Sequence, residues 1–273
     1  MTAANGTAPE GKEISRPFQD KVAIVTGASS GIGRATVLAL ARRGAHIALA
    51  ARRVNLLEEV AAEAQAYGGQ ALVLPTDISD PVQVSKMVEA ALERFGRVDI
   101  LVANAGVYVR SPLEELTTEK IQYAMAVNFY GGVYAILSVL PHMRSQGSGH
   151  IVVVTSVDGK KGLPLDAPYA SAKFALTGFA EVLRQELHGS GIYVCTILPG
   201  RVDTGMIEDF RVPWISAKIP AEMVANAIVG AILKHKAEAI IPFQASLLVY
   251  LNTFFPRLAD WVVRYFHLEG WPE

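Results

Sequence analysis

The sequence predicts a doubly wound α/β fold in one domain. About seven strands form a parallel sheet, helices cover both faces, and a helical extension follows at the C-terminus. Three observations carry that prediction. Short apolar runs alternate with amphipathic stretches six times from Lys21 onward, the order of repeated strand–helix–strand units. The strands read as continuous apolar runs rather than alternating ones, as expected of a parallel sheet buried on both faces. No internal repeat or low-complexity linker divides the 273 residues, and a 51% hydrophobic composition is enough for one large core.

Taken in order, strands are expected at Val22–Thr26, His46–Ala50, Gln70–Leu74, Ile100–Ala103, His150–Thr155, Ile192–Leu198 and Ala239–Ile241. Helical patterns lie between them at Gly33–Arg43, Asn55–Tyr67, Pro81–Phe95 and Thr118–Met143. Asp80-Pro81 suits a helix N-cap and first turn, and Gly44 and Gly68-Gly69 suit helix ends. The chain is thus read as an arm over 1–17, a catalytic domain over 18–242 and an amphipathic extension over 243–273. Residues 1–17 are rich in Ala, Gly, Thr, Glu and Pro and lack the apolar core of a secretory signal, so a mobile arm is expected there.

The net charge of −1 gives no footprint for nucleic acid. A single cysteine, Cys195, excludes an internal disulfide framework and a cysteine-built zinc site. It lies in an apolar run, where a buried inert thiol is expected. The histidines show no metal-ligand spacing, so no metal is expected. A reducing, cytoplasmic location follows as the default.

The first strand runs into Thr26-Gly27-Ala28-Ser29-Ser30-Gly31-Ile32-Gly33-Arg34 and then directly into a helix. Gly27 permits a tight turn, Gly31 lets backbone approach a pyrophosphate, and Gly33 lets helix and strand pack closely. Backbone N–H groups at the helix start, from Ser29 to Gly33, would hold the phosphates of a dinucleotide, which makes the fold Rossmann-like. The spacing is G-x-x-x-G-x-G, not the general G-x-G-x-x-G. At the end of the second strand an NAD site wants an acid, yet the chain reads Ala50-Ala51-Arg52-Arg53. Two guanidiniums suit the 2′-phosphate of NADP instead, with Arg34 as a further candidate.

Tyr169 and Lys173 stand four apart, on one helix face, and Ser156 precedes the tyrosine by thirteen. A lysine ammonium beside a phenol would lower its pKa from about 10 toward working pH. A serine hydroxyl nearby would hold a carbonyl or alcohol oxygen at the phenol. A solvated helix face gives the same Tyr–Lys spacing, so the pair alone decides nothing; its context does.

Together these residues resemble the short-chain dehydrogenase/reductase family over about 18–242. The landmarks are the Thr26-to-Gly33 loop, Asp77-Ile78, Asn104-Ala105-Gly106, Asn128, Ser156, Tyr169-x-x-x-Lys173 and Pro199-Gly200. The resemblance implies NADP(H)-dependent interconversion of a carbonyl and a secondary alcohol. Tyr169 would be the general acid/base, Ser156 would orient the oxygen, and Lys173 would tune the phenol and bind the nicotinamide ribose. Asn128 would keep a water in a proton relay through its backbone carbonyl in a bent helix. Asp77 and Ile78 would line the adenine pocket, and Asn104, Ala105 and Gly106 would steady the sheet beside it. Pro199, Gly200, Val202 and Thr204 would close over the nicotinamide. The family's common Asn-Asn-Ala-Gly reads Ala103-Asn104-Ala105-Gly106 here. The glycine-rich tail of its acyl-carrier-protein reductases is replaced by apolar residues, which counts against a 3-oxoacyl-thioester substrate.

Val157–Pro168 and Arg201–Pro220 are expected to line the substrate side. Met206, Ile207, Phe210, Val212, Pro213, Trp214 and Ile215 make the second an apolar lid for an apolar substrate. From Phe243 to Leu268 apolar residues recur at helical spacing, and Pro256 divides the pattern into two helices. Charges at Arg257, Asp260 and Arg264 argue against a membrane span. A covering helix or subunit contact is the expected role, with a peripheral membrane contact through Phe254, Phe255, Trp261, Tyr265 and Phe266 as the other. The resemblance implies a homodimer or homotetramer. A non-catalytic nucleotide sensor and a sugar-nucleotide epimerase are competing functions; the complete Ser156–Tyr169–Lys173 set speaks against the first, and the chain length against the second.

Overall fold

The computed structural model describes residues 16–207 and 210–272, so most of the arm expected over 1–17 lies outside the described residues. The elements are β1 (Val22–Thr26), α1 (Gly31–Ala41), β2 (His46–Ala51), α2 (Val54–Gln65), β3 (Ala71–Pro75), α3 (Pro81–Phe95) and β4 (Ile100–Ala103). Next come α4 (Thr118–Met125), α5 (Gly131–Gln146), β5 (Gly149–Val154), α6 (Ala167–Glu186) and β6 (Ile192–Pro199). The chain ends with β7 (Phe210–Arg211), α7 (Ala221–Leu233), β8 (Glu238–Ile241), α8 (Ala245–Phe254), α9 (Pro256–Tyr265) and β9 (Trp271–Pro272).

Seven strands form one parallel sheet in the order β3-β2-β1-β4-β5-β6-β8. The order reverses between β1 and β4, where a crevice opens at the carboxyl ends of the strands. Side chains alternate across the sheet, as a strand's two-residue period requires. Ala23, Val25, Val152 and Val154 pack into the core shared with α1, α2 and α7. Ile24, Ile151 and Val153 pack into the core shared with α3, α5 and α6. Helix α3 shows how such a helix is specified. Asp80 caps it by accepting from Val82 N and Gln83 N, Pro81 opens it, and Gly96 ends it at φ 76°. Val84, Met87, Val88 and Ala91 are its buried stripe.

Strand and helix limits differ from the sequence reading by one or two residues, except at two places. The helix expected over Thr118–Met143 is interrupted by a π-helical turn at Ala126–Tyr130. That wide turn places Asn128 and brings Gly131 against Ile78; a Cβ at Gly131 would lie 2.8 Å from Ile78 Cγ1. The other is a two-stranded antiparallel sheet, β7 with β9, which ties the tail to the segment after β6. The continuous run Thr118–Gln146 is long and apolar enough to cross a membrane, yet half of its apolar window is buried in the fold. Helices α8 and α9 divide at Pro256 as expected.

Candidate active site

A single cavity of about 1760 Å³ runs along the carboxyl ends of β1, β4, β5 and β6. Sites for one drug-sized ligand hold roughly 300–1,000 Å³, so this one has room for a dinucleotide and a second molecule. Every cofactor-side residue expected from the sequence lines it except Gly33, which lies behind the loop, and the further candidate Arg34. A Cβ on Gly33 would sit 2.1 Å from Gly27 O, so glycine is required for α1 to pack against the loop. Gly31 has φ 52°, and a Cβ there would meet Thr204 Cγ2 at 2.8 Å, so the glycine loop and the segment after β6 close against each other. Asn104 N and Ala105 N both donate to Thr26 Oγ1 at 3.0 Å, and Asn104 Nδ2 donates to Thr26 O at 2.9 Å. The Asn-Ala-Gly turn therefore ties the end of β4 to the end of β1, beside the loop. Gly200 N donates to Ile241 O at 2.6 Å, and Val202 bridges to Ile219, which fixes the other wall.

Where β2 ends, Ala51, Arg52 and Arg53 line the cavity, and the Asp77 carboxylate after β3 lies near enough to interact with Arg52. The Arg53 guanidinium donates to Ser29 Oγ at 3.0 Å and Ser30 Oγ at 2.7 Å, which draws it over the glycine loop. Arg34 is directed elsewhere: it pairs with Glu63 on α2 at 2.5 Å and does not line the cavity. Asp77 Oδ1 accepts from Ser79 N and Ser79 Oγ, and these bonds hold its carboxyl below the usual range.

On the catalytic side, Tyr169 and Lys173 lie on the first turns of α6, Ser156 directly follows β5, and Asn128 sits in the π turn. Lys173 Nζ lies 5.6 Å from the Tyr169 ring centroid and donates to Val154 O at 3.1 Å. The Ser156 hydroxyl stands near enough to Tyr169 to favour its phenolate. Asn128 Nδ2 donates to Val107 O and Ala124 O, and its Oδ1 accepts from Val107 N, all at 3.0 Å. The Asn128 side chain is thus a clamp on the segment after β4. The surroundings of the pair oppose the lowering of the phenol expected from Lys173. Burial, and then the nearby Asp158 carboxylate, push the Tyr169 phenol up, opposed by the Ser156 hydroxyl. Burial also pulls the Lys173 amine down to about 8, with Asp158 working against that shift. Lysine is therefore not the main influence on the phenol in this arrangement.

Sequence reasoning missed the charged cluster responsible. Asp158 Oδ2 accepts from Ser156 Oγ at 3.1 Å, and Asp158 N donates to that same oxygen at 3.0 Å. Burial first, then Asp166, raise the Asp158 carboxyl to about 7. Asp166 accepts from Arg110 Nε at 2.9 Å and from the Tyr108 hydroxyl at 2.9 Å. Tyr108 meets Tyr169 edge to face at 4.9 Å between centroids. Half-buried Arg201 faces the same cluster. Their positions relative to known landmarks were the only available signal: each stands two to four residues from Gly106, Ser156 or Tyr169, or directly after Gly200.

The substrate end is apolar. Of the lid residues expected there, Met206, Ile207, Trp214 and Ile215 line the cavity, whereas Val212 and Pro213 do not. The side chain of Phe210 lies outside the described residues. The C-terminal extension completes the wall with Leu247, Leu248, Leu251 and Val262. Polar bonds hold it there. Arg201 donates to Leu268 O, Arg110 Nη2 donates to Glu269 O at 2.8 Å, and Lys161 pairs with Asp260.

A family model described as short chain dehydrogenase matches residues 21–212. An uncharacterized oxidoreductase of Listeria monocytogenes, Lmo0432, is 41% identical over 193 residues, which is 70% of this chain and 78% of the relative. A solved alcohol dehydrogenase from Thermococcus sibiricus, complexed with 5-hydroxy-NADP, superposes with a TM-score of 0.73 at 32% identity, covering 81% of this chain and 95% of that one. A short chain dehydrogenase/reductase from Burkholderia phymatum, in complex with NAD, gives a TM-score of 0.82 at 27% identity, over 88% and 95% of the two chains. The fold, the cavity at its switch point and these matches lead to one conclusion: the chain belongs to the short-chain dehydrogenase/reductase family of oxidoreductases.

Proposed function

We propose that the protein interconverts a ketone or aldehyde and its alcohol on an apolar substrate, with NADP(H) as cofactor. The carrying observation is the meeting of Ser156, Tyr169 and Lys173 at the floor of a cavity whose other half is the glycine loop. The residues fit a dinucleotide: Gly33 admits no side chain, backbone opens α1 toward the cavity, and Arg52 and Arg53 line the cavity with guanidiniums that suit a 2′-phosphate. When bound, the dinucleotide supplies or accepts the hydride. Tyr169 gives a proton to the carbonyl oxygen in reduction and takes it from the alcohol in oxidation. Ser156 hydrogen-bonds that oxygen and holds it at the phenol. Lys173, anchored on Val154 O, reaches the cofactor ribose and passes protons through a water held at the Asn128 backbone. Substrate identity is read from the walls: the lid and extension offer aliphatic and aromatic surface, favouring an apolar ketone.

Screening NADPH oxidation against aliphatic, aromatic and steroid ketones tests the reaction. Tyr169→Phe should lower turnover by about 10²- to 10⁴-fold; undiminished turnover would sink the mechanism. Arg52→Ala should weaken NADPH by about 1.5–3 kcal/mol and spare NADH. Equal weakening of the two rejects the cofactor assignment. The outer face of α8 and α9 exposes Tyr250, Phe254, Phe255, Trp261 and Tyr265. We read it as the contact of a homodimer or homotetramer in the cytoplasm. Light scattering that returns a monomer, together with sedimentation on vesicles, would replace that reading with a membrane contact.

A further inference from the structure

We propose that Asp158 is a positioning residue for the proton-transfer pair: its carboxyl group fixes the direction of the Ser156 hydroxyl and thereby which oxygen that hydroxyl serves. The inference rests on the carbonyl–alcohol reading above and adds to it a residue that the family landmarks do not contain.

The argument begins with hydrogen-bond capacity. Ser156 Oγ has one hydrogen to give and two lone pairs to receive with. One lone pair takes the Asp158 backbone N–H at 3.0 Å. An ionised carboxylate only accepts, so the contact of 3.1 Å between Ser156 Oγ and Asp158 Oδ2 then uses the serine hydrogen. In that state the serine hydrogen is committed to Asp158 and is not offered to Tyr169 or to a substrate oxygen. A protonated Asp158 reverses the direction. Its O–H donates to Ser156 Oγ, and the serine hydrogen turns to the phenol or to a substrate oxygen. Asp158 lines the cavity, so the group that makes this choice stands beside the reacting atoms.

The groups around Asp158 come from every packed segment. Tyr169 and Lys173 face it from α6 and Asp166 from the turn before α6. Tyr108 and Arg110 face it from the segment after β4, and Arg201 from the segment after β6. The two arginines favour its charged form, whereas burial and Asp166 oppose it, which keeps both forms accessible near neutrality. A charged Asp158 also disfavours a phenolate at Tyr169. The arrangement therefore holds Tyr169 as an acid, the state that carbonyl reduction requires.

The test uses the full-length protein and pH profiles of kcat/KM for reduction and oxidation. In Asp158→Asn the limb that reports Tyr169 ionisation should move to lower pH by roughly 1 unit, and oxidation near neutrality should gain relative to reduction. Asp158→Ser, small and uncharged, should move the limb in the same direction, which guards against a folding defect peculiar to asparagine. Limbs that stay in place in both folded variants overturn the proposal. A second readout needs no turnover, so its failure is separable from that of the parent reading. The ¹³C carboxyl signal of Asp158, assigned by its loss in Asp158→Asn, is titrated in the wild type and in Ser156→Ala. Removing the serine donor should raise the Asp158 midpoint; an unchanged midpoint shows that the hydroxyl is not directed by the carboxylate and refutes the inference.

Discussion

The two ends of the parallel sheet each hold an aspartate among charged neighbours, and they treat it in opposite ways. At the amino ends, Asp99 accepts from Arg97 Nε at 2.8 Å, Arg97 Nη2 at 2.6 Å, Lys21 Nζ at 3.1 Å and Val22 N at 3.0 Å. Burial pushes Asp99 up, but these donors outweigh it and leave the carboxyl below its ordinary value. At the carboxyl ends, Asp158 accepts from the Ser156 hydroxyl and is lifted to about 7. The first end is compensated and structural. The second keeps an under-compensated acid at the reacting atoms, as functional sites commonly do at a cost in stability.

The largest effect expected at the carboxyl end comes from its one well-paired acid. Asp166 is wholly buried against Arg110 and Tyr108. Asp166→Ala removes the buried carboxylate that accepts from both Arg110 and Tyr108 and should cost about 3–5 kcal/mol in urea unfolding. A loss below 1 kcal/mol would mean that Arg110 and the tail carbonyl of Glu269 satisfy each other without it.

The same substitution at the two contrasted aspartates should then act with opposite sign. Asp99→Asn removes a charge that its donors stabilise and should cost about 1.5–3 kcal/mol at neutral pH. Because the folded value lies below the unfolded one, this contribution is full above about pH 4 and is lost as pH falls through the folded value. Asp158 has the reverse linkage. Its folded value of about 7 exceeds the unfolded one, so wild-type stability should fall as pH rises from about 4 to 7. Asp158→Asn should therefore stabilise by about 1–2 kcal/mol at pH 8 and by little at pH 4. Destabilisation at pH 8 would erase the distinction between the two ends.

This contrast also explains what the sequence revealed. The nucleotide half was legible because it is built from backbone, and backbone demands leave glycine at fixed offsets: Gly33 has no alternative 2.1 Å from Gly27 O. Ser156, Tyr169 and Lys173 were legible because a resemblance supplied their partners. Asp158, Asp166, Arg110 and Arg201 were not, since acids and arginines in loops are ordinary residues until the fold brings them together. Arg110 reaches Asp166 across 56 residues and Glu269 across 159. No local period records such a meeting. The β7–β9 pair, two residues per strand, is likewise too short for an alternating pattern to show.

The amino end has one exception to its compensated character, and it gives the smallest predicted effect. His150 Nε2 lies 3.1 Å from His235 Nδ1, and the two rings stack with Tyr193. One nitrogen must donate and the other accept, so the contact is lost if both rings are protonated, and a charge on either ring opposes a charge on the other. Burial and then His235 pull His150 down to about 4. The unfolded chain binds this proton near pH 6.5 and the folded protein does not until about pH 4, so stability should decline as pH falls through that window. Part of the ring is open to solvent, which reduces the expected loss to about 1 kcal/mol. His150→Gln, which cannot titrate, should flatten the unfolding free energy between pH 6.5 and 4 relative to the wild type. A slope unchanged by the substitution would assign the acid sensitivity of this end to Asp99 alone.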